Sequence, residues 1–508
     1  MTERQAALQS SAAEVGSASG LPPVSAALIA RSAFWRVVEM AGGEGLTFIF
    51  MIVLTRLLTP ADYGLVAIAT MTLMLAQLII RHGLVEALVQ QPNLTSGAIC
   101  AAFYINLGLG IGLSLALVGL AEPLATLTGK PDLATVLLVL AWLSIPQSVT
   151  SIYVALLRRA LNFRGLALRA VIAILIGSLV AVGMALVGYG VWALVAMQVT
   201  NTLVSVVVVM VLAEWPPANR PDLATARELM RAALPVMGAG IVSTLGWTLP
   251  TLAFGVALPA AVVGHFFIAQ RVMMSLNGLC TASIGDLSLS VLARLQGSPD
   301  QHRAAARRAL QLGGLVCLPS FAGVGMVADS LVLTLFGPQW VDSILPLRLL
   351  MASSVAIAAA FIAGQILLSF GHHHLVLRLN VMAVLPPALA ASALAPFGLV
   401  PALIGNVAVS VVSLVVIARL LCRPLSVRPT TLLGDQLPTL AAVTALILTL
   451  LTLELANLEM FPATALLVES SLGALVFVVV LAWRDPDLCR LVVESVAGAR
   501  RNRSAQGF

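Results

Sequence analysis

LTRLLTPADYG, Leu54 to Gly64, sets a burst of turn chemistry between two apolar runs. A degenerate echo, GVALPAAVVG, lies at Gly255 to Gly264. Thr59, Pro60 and Asp62 have the spacing of a capping box, with Thr59 as N-cap, Pro60 at the first helical position and Asp62 at the third, so a helix should start sharply there. The echo keeps Pro259 and Gly264 but lacks the Thr and the Asp. The flanks match better. RSAFWRVVEM...LTRLLTP (Arg31 to Pro60) and RAALPVMGAG...FGVALP (Arg231 to Pro259) each begin at an arginine, cross one apolar run and reach a proline.

Working outward, the 508 residues are 60% hydrophobic and only 10% charged, with a mean hydropathy of +1.02. Soluble domains carry roughly 25% charged residues, so this composition reads as an integral membrane protein. The net charge of +6 comes almost wholly from arginine. Most arginines fall in short gaps between apolar runs, which is orientation signal and argues against nucleic-acid binding. The five cysteines are widely separated and suggest neither a disulfide framework nor a zinc site.

Windows long enough for a ~30 Å hydrocarbon core recur fourteen times, at 34–57, 62–80, 98–120, 133–157, 166–188, 190–213, 232–257, 262–293, 310–336, 343–369, 375–397, 399–421, 438–457 and 462–483. The expected fold is all-α, with two six-helix lobes related by a pseudo-two-fold along the membrane normal, plus two C-terminal helices. Six spans separate the two copies of the opening layout, so both lobes run in the same direction. Residues 1–30 read as a cytoplasmic tail, 31–213 as the first lobe, 214–231 as a linker and 232–421 as the second lobe. Beyond them, 422–437 reads as a loop, 438–483 as the last two spans and 484–508 as a second tail. Alternate gaps hold the arginines, among them Arg158, Arg159, Arg164, Arg303, Arg307, Arg308, Arg419 and Arg423. That asymmetry puts both termini in the cytoplasm.

Ionisable groups inside a bilayer are expensive, so their depth points to function. At 1.5 Å per residue, Arg271 lies ~14 Å into the eighth span and Glu44 ~15 Å into the first. They either face a central cavity or pair with one another. Arg271 heads a small, polar stripe with Ser275, Gly278, Ala282 and Asp286. In the second span Thr70, Met74, Gln77 and Arg81 share a face that ends at the cytoplasmic mouth. Arg36 and Glu39 lie near the same mouth, where a local ion pair or simple snorkelling competes with ligand contact. Arg36, Arg81 and Arg271 together outline a cationic path suited to a phosphate-bearing head group, because a guanidinium keeps its charge when desolvated.

Thr244, Thr248 and Thr251, with Trp247 beside them, are candidates for sugar contact, although threonine hydroxyls also bond their own helix backbone. Asp329, Glu454 and Glu459 are candidates for ion coupling. The run His372–His374 occupies a tight turn, and Gly108–Gly112 reads as a helix packing face rather than a nucleotide loop. Neither a cofactor nor a metal is called for. Without a nucleophile elbow, P-loop or H-E-x-x-H motif, transport is the better reading than catalysis.

Four segments carry a family likeness: LTRLLTPADYGLVAIAT, IIRHGLVEALVQQPNLT, FIAQRVMMSLNGLCTASIGDLSLSVLARLQ and LFGPQWVDSILPLRLLMASSVAIAAAFIAGQILLSFG. They resemble Wzx-like flippases, the polysaccharide transporter members of the multidrug, oligosaccharidyl-lipid and polysaccharide exporter superfamily. The resemblance covers about residues 31 to 485. It implies translocation of an undecaprenyl-pyrophosphate-linked oligosaccharide across the bacterial inner membrane by alternating access, and membrane lipid, a polysaccharide polymerase and a co-polymerase as partners. It further implies that arginines of the first, second and eighth spans line the cavity, matching Arg36, Arg81 and Arg271, and that the last two spans hold the lipid tail. A cation-coupled multidrug exporter of the same superfamily is the alternative, and the arginine set argues against it. A membrane polymerase or ligase is disfavoured, because the outer loops are short.

Overall fold

The computed structural model describes residues 35, 42–78, 88, 95–213, 241, 244–295, 298–456 and 461–486. Among them the regular structure is entirely helical, and ten helical stretches are long and apolar enough to cross a membrane. The chain divides into two compact units, Met1–Thr248 and Leu249–Phe508.

The first unit contains α1 (Gly43–Leu57), α2 (Pro60–Ala76), α3 (Ser96–Thr128), α4 (Asp132–Ala141), α5 (Ser144–Arg159), α6 (Phe163–Leu186) and α7 (Val191–Ala213). The opening motif folds as read. Asp62 N–H donates to Thr59 Oγ1 at 3.3 Å, and Thr59 N–H donates to Asp62 Oδ2 at 3.0 Å, closing the capping box. The fourth expected span is broken into α4 and α5 around Trp142 and Leu143. Pro146 explains the break, because it has no N–H for the Trp142 carbonyl four residues back. The Ile145 amide bonds that carbonyl instead, at 3.3 Å.

The turn Gly188-Tyr189-Gly190 separates α6 from α7, with φ of +87° and +51° at the two glycines, a backbone region that glycine enters without steric cost. The two helices then pack closely. A Cβ on Gly177 would lie 2.9 Å from the Met197 carbonyl.

A helix over 244–257, α8, spans the division between the units. The second unit continues with α9 (Ala260–Arg294), α10 (Pro299–Met326), α11 (Ala328–Leu335), α12 (Ile344–Ser369), α13 (His373–Leu394), α14 (Leu399–Leu425), α15 (Pro429–Leu455) and α16 (Pro462–Arg484). A 3-10 turn, Pro338–Ser343, leads into α12. That central helix packs against α9, α10, α13 and α14 and is buried along most of its length. The last two helices pair with each other and dock on α10 and α11.

The expected loop at 422–437 is corrected. Only Ser426, Val427 and Arg428 lie between α14 and α15. Polar residues there end the apolar window but not the helix: Pro429 sits in the first turn of α15, where a proline is tolerated, and Asp435 and Gln436 find partners on α10. Residues 1–30 and 487–508 of the tails, the linker at 214–231, Glu459 and Cys489 lie outside the described residues.

Candidate substrate site

Arg36, Glu39 and Arg81 lie outside the described residues, and Asp286 is described only as part of α9. Glu44 is exposed in the first turn of α1, in the first unit, whereas Arg271 belongs to the second. Arg271 is half-buried on α9. One face of that helix is packed: Ala269, Gln270, Met273 and Asn277 are buried. Arg271, Ser275 and Gly278 lie on its more accessible side, and nothing comes within 4 Å of a Cβ placed on Gly278. From Arg271 to Gly278 this is the less buried face of α9.

Helix α8 corrects the threonine reading. Thr248 and Thr251 are both 0% exposed. Thr248 donates to the Thr244 carbonyl at 2.9 Å, and Thr251 donates to Gln270 Oε1 at 3.5 Å. The hydroxyl face is spent on helix bonding and packing, as threonine's bond to its own backbone permits. Thr244 is also buried, and Trp247 is half-buried beside it.

Gln77 is corrected in the same way. Only 2% exposed, it donates from Nε2 to Ser144 Oγ at 3.3 Å, tying α2 to the start of α5. In the second unit Asn277 of α9 donates to Ser354 Oγ of α12 at 3.0 Å, and to the Met273 carbonyl at 3.1 Å. Asn106 of α3 adds bonds to the Ser148 carbonyl (2.9 Å) and Ser151 Oγ (2.6 Å). In each unit, then, the helix of the fourth or tenth expected span receives carboxamides through its serines. The 3-to-4-residue spacing of Ser144, Ser148 and Ser151 in an apolar helix was the available signal.

The glycine run is partly corrected. A Cβ on Gly110 would sit 2.6 Å from Ser148 Oγ, so Gly110 does pack against α5. Gly108 and Gly112 face open space and line a cavity of about 450 Å³, together with Ile105, Leu109 and Leu113.

Asp329, expected as a coupling residue, is ion-paired to Arg348 of α12. Arg348 also reaches Glu454 Oε1 of α15 at 3.0 Å. Burial pushes the Asp329 carboxyl above the ordinary carboxylate range; Arg348 opposes that and Glu454 adds to it. The next residue, Ser330, is buried and donates to Glu469 Oε2 of α16 at 2.7 Å. Arg348 and Glu469 escaped sequence reasoning, since their partners are distant along the chain.

A family model described as polysaccharide biosynthesis protein matches residues 53–345, which include Arg271. The chain belongs to that family. The likeness read from the sequence thus holds.

A relative within reach is the succinoglycan biosynthesis transport protein ExoT of Rhizobium meliloti (strain 1021), 27% identical over 319 residues, or 63% of this chain and 65% of the relative. The chain therefore spans just under two thirds of that protein. The lipopolysaccharide biosynthesis protein WzxC of Escherichia coli (strain K12) is 24% identical over 360 residues, covering 68% of this chain and 71% of the relative. Among solved structures, the lipid II flippase MurJ in an inward closed conformation is similar with a TM-score of 0.73 and 10% identity, covering 90% of this chain and 99% of that one. An inward-facing multidrug resistance MATE family transporter of the MOP superfamily is similar with a TM-score of 0.57 and 18% identity, covering 77% and 98%. At these identities the structural likeness speaks to the shared fold, and the family match speaks to polysaccharide biosynthesis.

Proposed function

We propose that this chain is a flippase that moves an oligosaccharide linked to undecaprenyl pyrophosphate from the cytoplasmic to the periplasmic leaflet of the bacterial inner membrane. The observation that carries this reading is the family match over residues 53–345 combined with an arginine, Arg271, on the more accessible side of a helix whose opposite face is packed through Ala269, Gln270, Met273 and Asn277. ExoT and WzxC, named for transport in succinoglycan synthesis and for lipopolysaccharide synthesis, support the substrate class.

In this reading the ten long apolar helices are joined by α1, α2, α8 and α9 to make fourteen spans, with both termini cytoplasmic. They form two six-helix lobes that alternate access, followed by α15 and α16. The equivalent carboxamide-to-serine bonds, Gln77 to Ser144 and Asn277 to Ser354, support the duplication. Arg271 neutralises the pyrophosphate, Arg81 and Arg36 guide it from the cytoplasmic mouth, and Glu44 responds to its charge. The prenyl tail remains in lipid while the sugar crosses, and a polymerase with its co-polymerase takes the product outside.

The test is Arg271→Ala beside Arg271→Lys, with membrane abundance measured, in cells whose own flippase gene is deleted. Lipid-linked repeat units should accumulate in the inner leaflet with the alanine variant, and polysaccharide export should fall by about tenfold or more. Wild-type export from Arg271→Ala would sink the assignment. Drug resistance on expression, with no glycan defect on deletion, would favour the multidrug exporter.

A further inference from the structure

We propose that Cys280 of α9 and Cys317 of α10 are a redox-active dithiol, which a lipid-soluble quinone oxidises to a disulfide that staples the two helices together beside the proline of α10.

In sequence the two cysteines are 37 residues apart and belong to different helices. Helices α9 and α10 pack against each other, and the two thiols meet there in a hydrogen bond. Ser320 of α10 is hydrogen-bonded to Cys280 as well. The placement of the hydrogens follows from Ser320, which donates its only hydroxyl hydrogen to the Val316 carbonyl at 2.7 Å and so accepts from Cys280. Cys280 gives its S–H to Ser320, and Cys317 gives its own to the Cys280 sulfur. Only that one hydrogen lies between the two sulfurs. The other cysteines of the described residues are placed differently: Cys422 spends its S–H on the Ala418 carbonyl at 3.1 Å, and Cys100 belongs to the first unit.

Burial selects the oxidant. Cys280 is 5% and Cys317 4% exposed, and Leu315, two residues from Cys317, is buried with Ala442 and Leu481. Helix α10 is long and apolar enough to cross a membrane, and a charged oxidant pays heavily to enter hydrocarbon, whereas an uncharged quinone dissolves in it. The step balances. Two S–H bonds break and one S–S bond forms, while two electrons and two protons pass to the quinone, which leaves as a quinol. A small dithiol reverses it by thiol–disulfide exchange.

The consequence follows from Pro319, which lies inside α10 two residues beyond Cys317. Pro319 has no N–H for the Leu315 carbonyl four residues back, so α10 bends most readily at this point. A disulfide holds its sulfurs at about 2 Å and its Cα atoms about 4.4–6.8 Å apart. Formed here, it ties the bend of α10 to α9, the helix that carries Arg271 nine residues earlier. The staple depends only on contacts within the second unit.

Full-length protein in lipid nanodiscs, treated with decylubiquinone or with ferricyanide and mapped without reductant, provides the test. Decylubiquinone should give a linked Cys280–Cys317 peptide pair and a loss of two hydrogens from the intact mass, at least about tenfold faster than ferricyanide. Hydrogen exchange at the 320–326 amides should slow by about fivefold on linking, and return with dithiothreitol. Cys280→Ser should remove both the linked pair and the change in exchange. Absence of the linked pair would overturn the proposal, as would Cys317 pairing instead with Cys100 or Cys422. Linking by ferricyanide as fast as by decylubiquinone would overturn the assignment of the oxidant, and unchanged exchange on linking would overturn the staple. None of these readouts involves transport, so the staple and the flippase reading can fail separately.

Discussion

Arg307 holds Asp435 at two points, Nε to Oδ2 at 2.9 Å and Nη2 to Oδ1 at 2.7 Å, across 128 residues of sequence. The planar guanidinium matches the carboxylate fork, which a lysine cannot do. The pair fastens the C-terminal helices to the rest of the second unit.

Asp435→Asn should therefore destabilise the protein by about 1–3 kcal/mol, between the ranges for exposed and buried pairs, because Asp435 is 17% and Arg307 36% exposed. Arg307→Lys should recover only part of the stability. Thermal unfolding in detergent, with Asp435→Asn/Arg307→Ala closing a double-mutant cycle, measures the coupling. A coupling near zero would mean that the apolar contacts alone hold the helix pair.

Gly110 and its neighbours offer a contrast within a single helix. Gly110→Ala brings a methyl to 2.6 Å from Ser148 Oγ and 2.9 Å from the Ser144 carbonyl, and should cost about 1–3 kcal/mol by forcing α3 away from α5. Gly108→Ala and Gly112→Ala meet nothing within 4 Å and should stabilise α3 by about 0.5–1 kcal/mol. Equal losses at all three positions, measured by thermal unfolding, would refute the packing described for α3 and α5.

The buried carboxamides rank by their bonds. Asn277→Ala loses two, at 3.0 and 3.1 Å, whereas Gln77→Ala loses one at 3.3 Å. The first should cost about 1–2 kcal/mol and the second about 0.5–1 kcal/mol. The same unfolding assay checks the order, and the reverse order would count against these bond assignments.

Thr59→Ala removes the N-cap of α2, at an expected cost of about 1 kcal/mol. Export in cells should stay near wild type at normal growth temperature, since the cap lies in a turn and holds no ligand in the proposed mechanism. A complete loss of export with normal abundance would make this turn part of the transport machinery.

The opening motif was legible because a capping box is local: Thr59 and Asp62 are three residues apart, and helix geometry alone brings them together. The apolar windows were legible for the same reason. Length and hydropathy are properties of consecutive residues, and they located the ten long helices and the glycine turn at 188–190. Where the reading failed, the deciding partner was elsewhere. Gln77 looked like a pathway residue until Ser144, 67 positions away, took its amide. Thr251 looked open until Gln270 met it. The stretch 422–437 looked like a loop because its polar residues had no visible partners, and α10 supplies them.

The sequence by itself determined that this is a membrane protein built of apolar helices, where several of them begin, and the likeness that places it in its family. Periodicity, caps and composition act within a few residues, and the bilayer requires helices to satisfy their backbone internally. Tertiary structure decided which polar side chains are already engaged and which lie on an accessible face. That choice depends on helices distant in sequence meeting at one depth, as Arg348 meets Asp329 and Glu454, and Coulomb attraction and hydrogen bonding fall off too steeply with distance to be read from the chain alone.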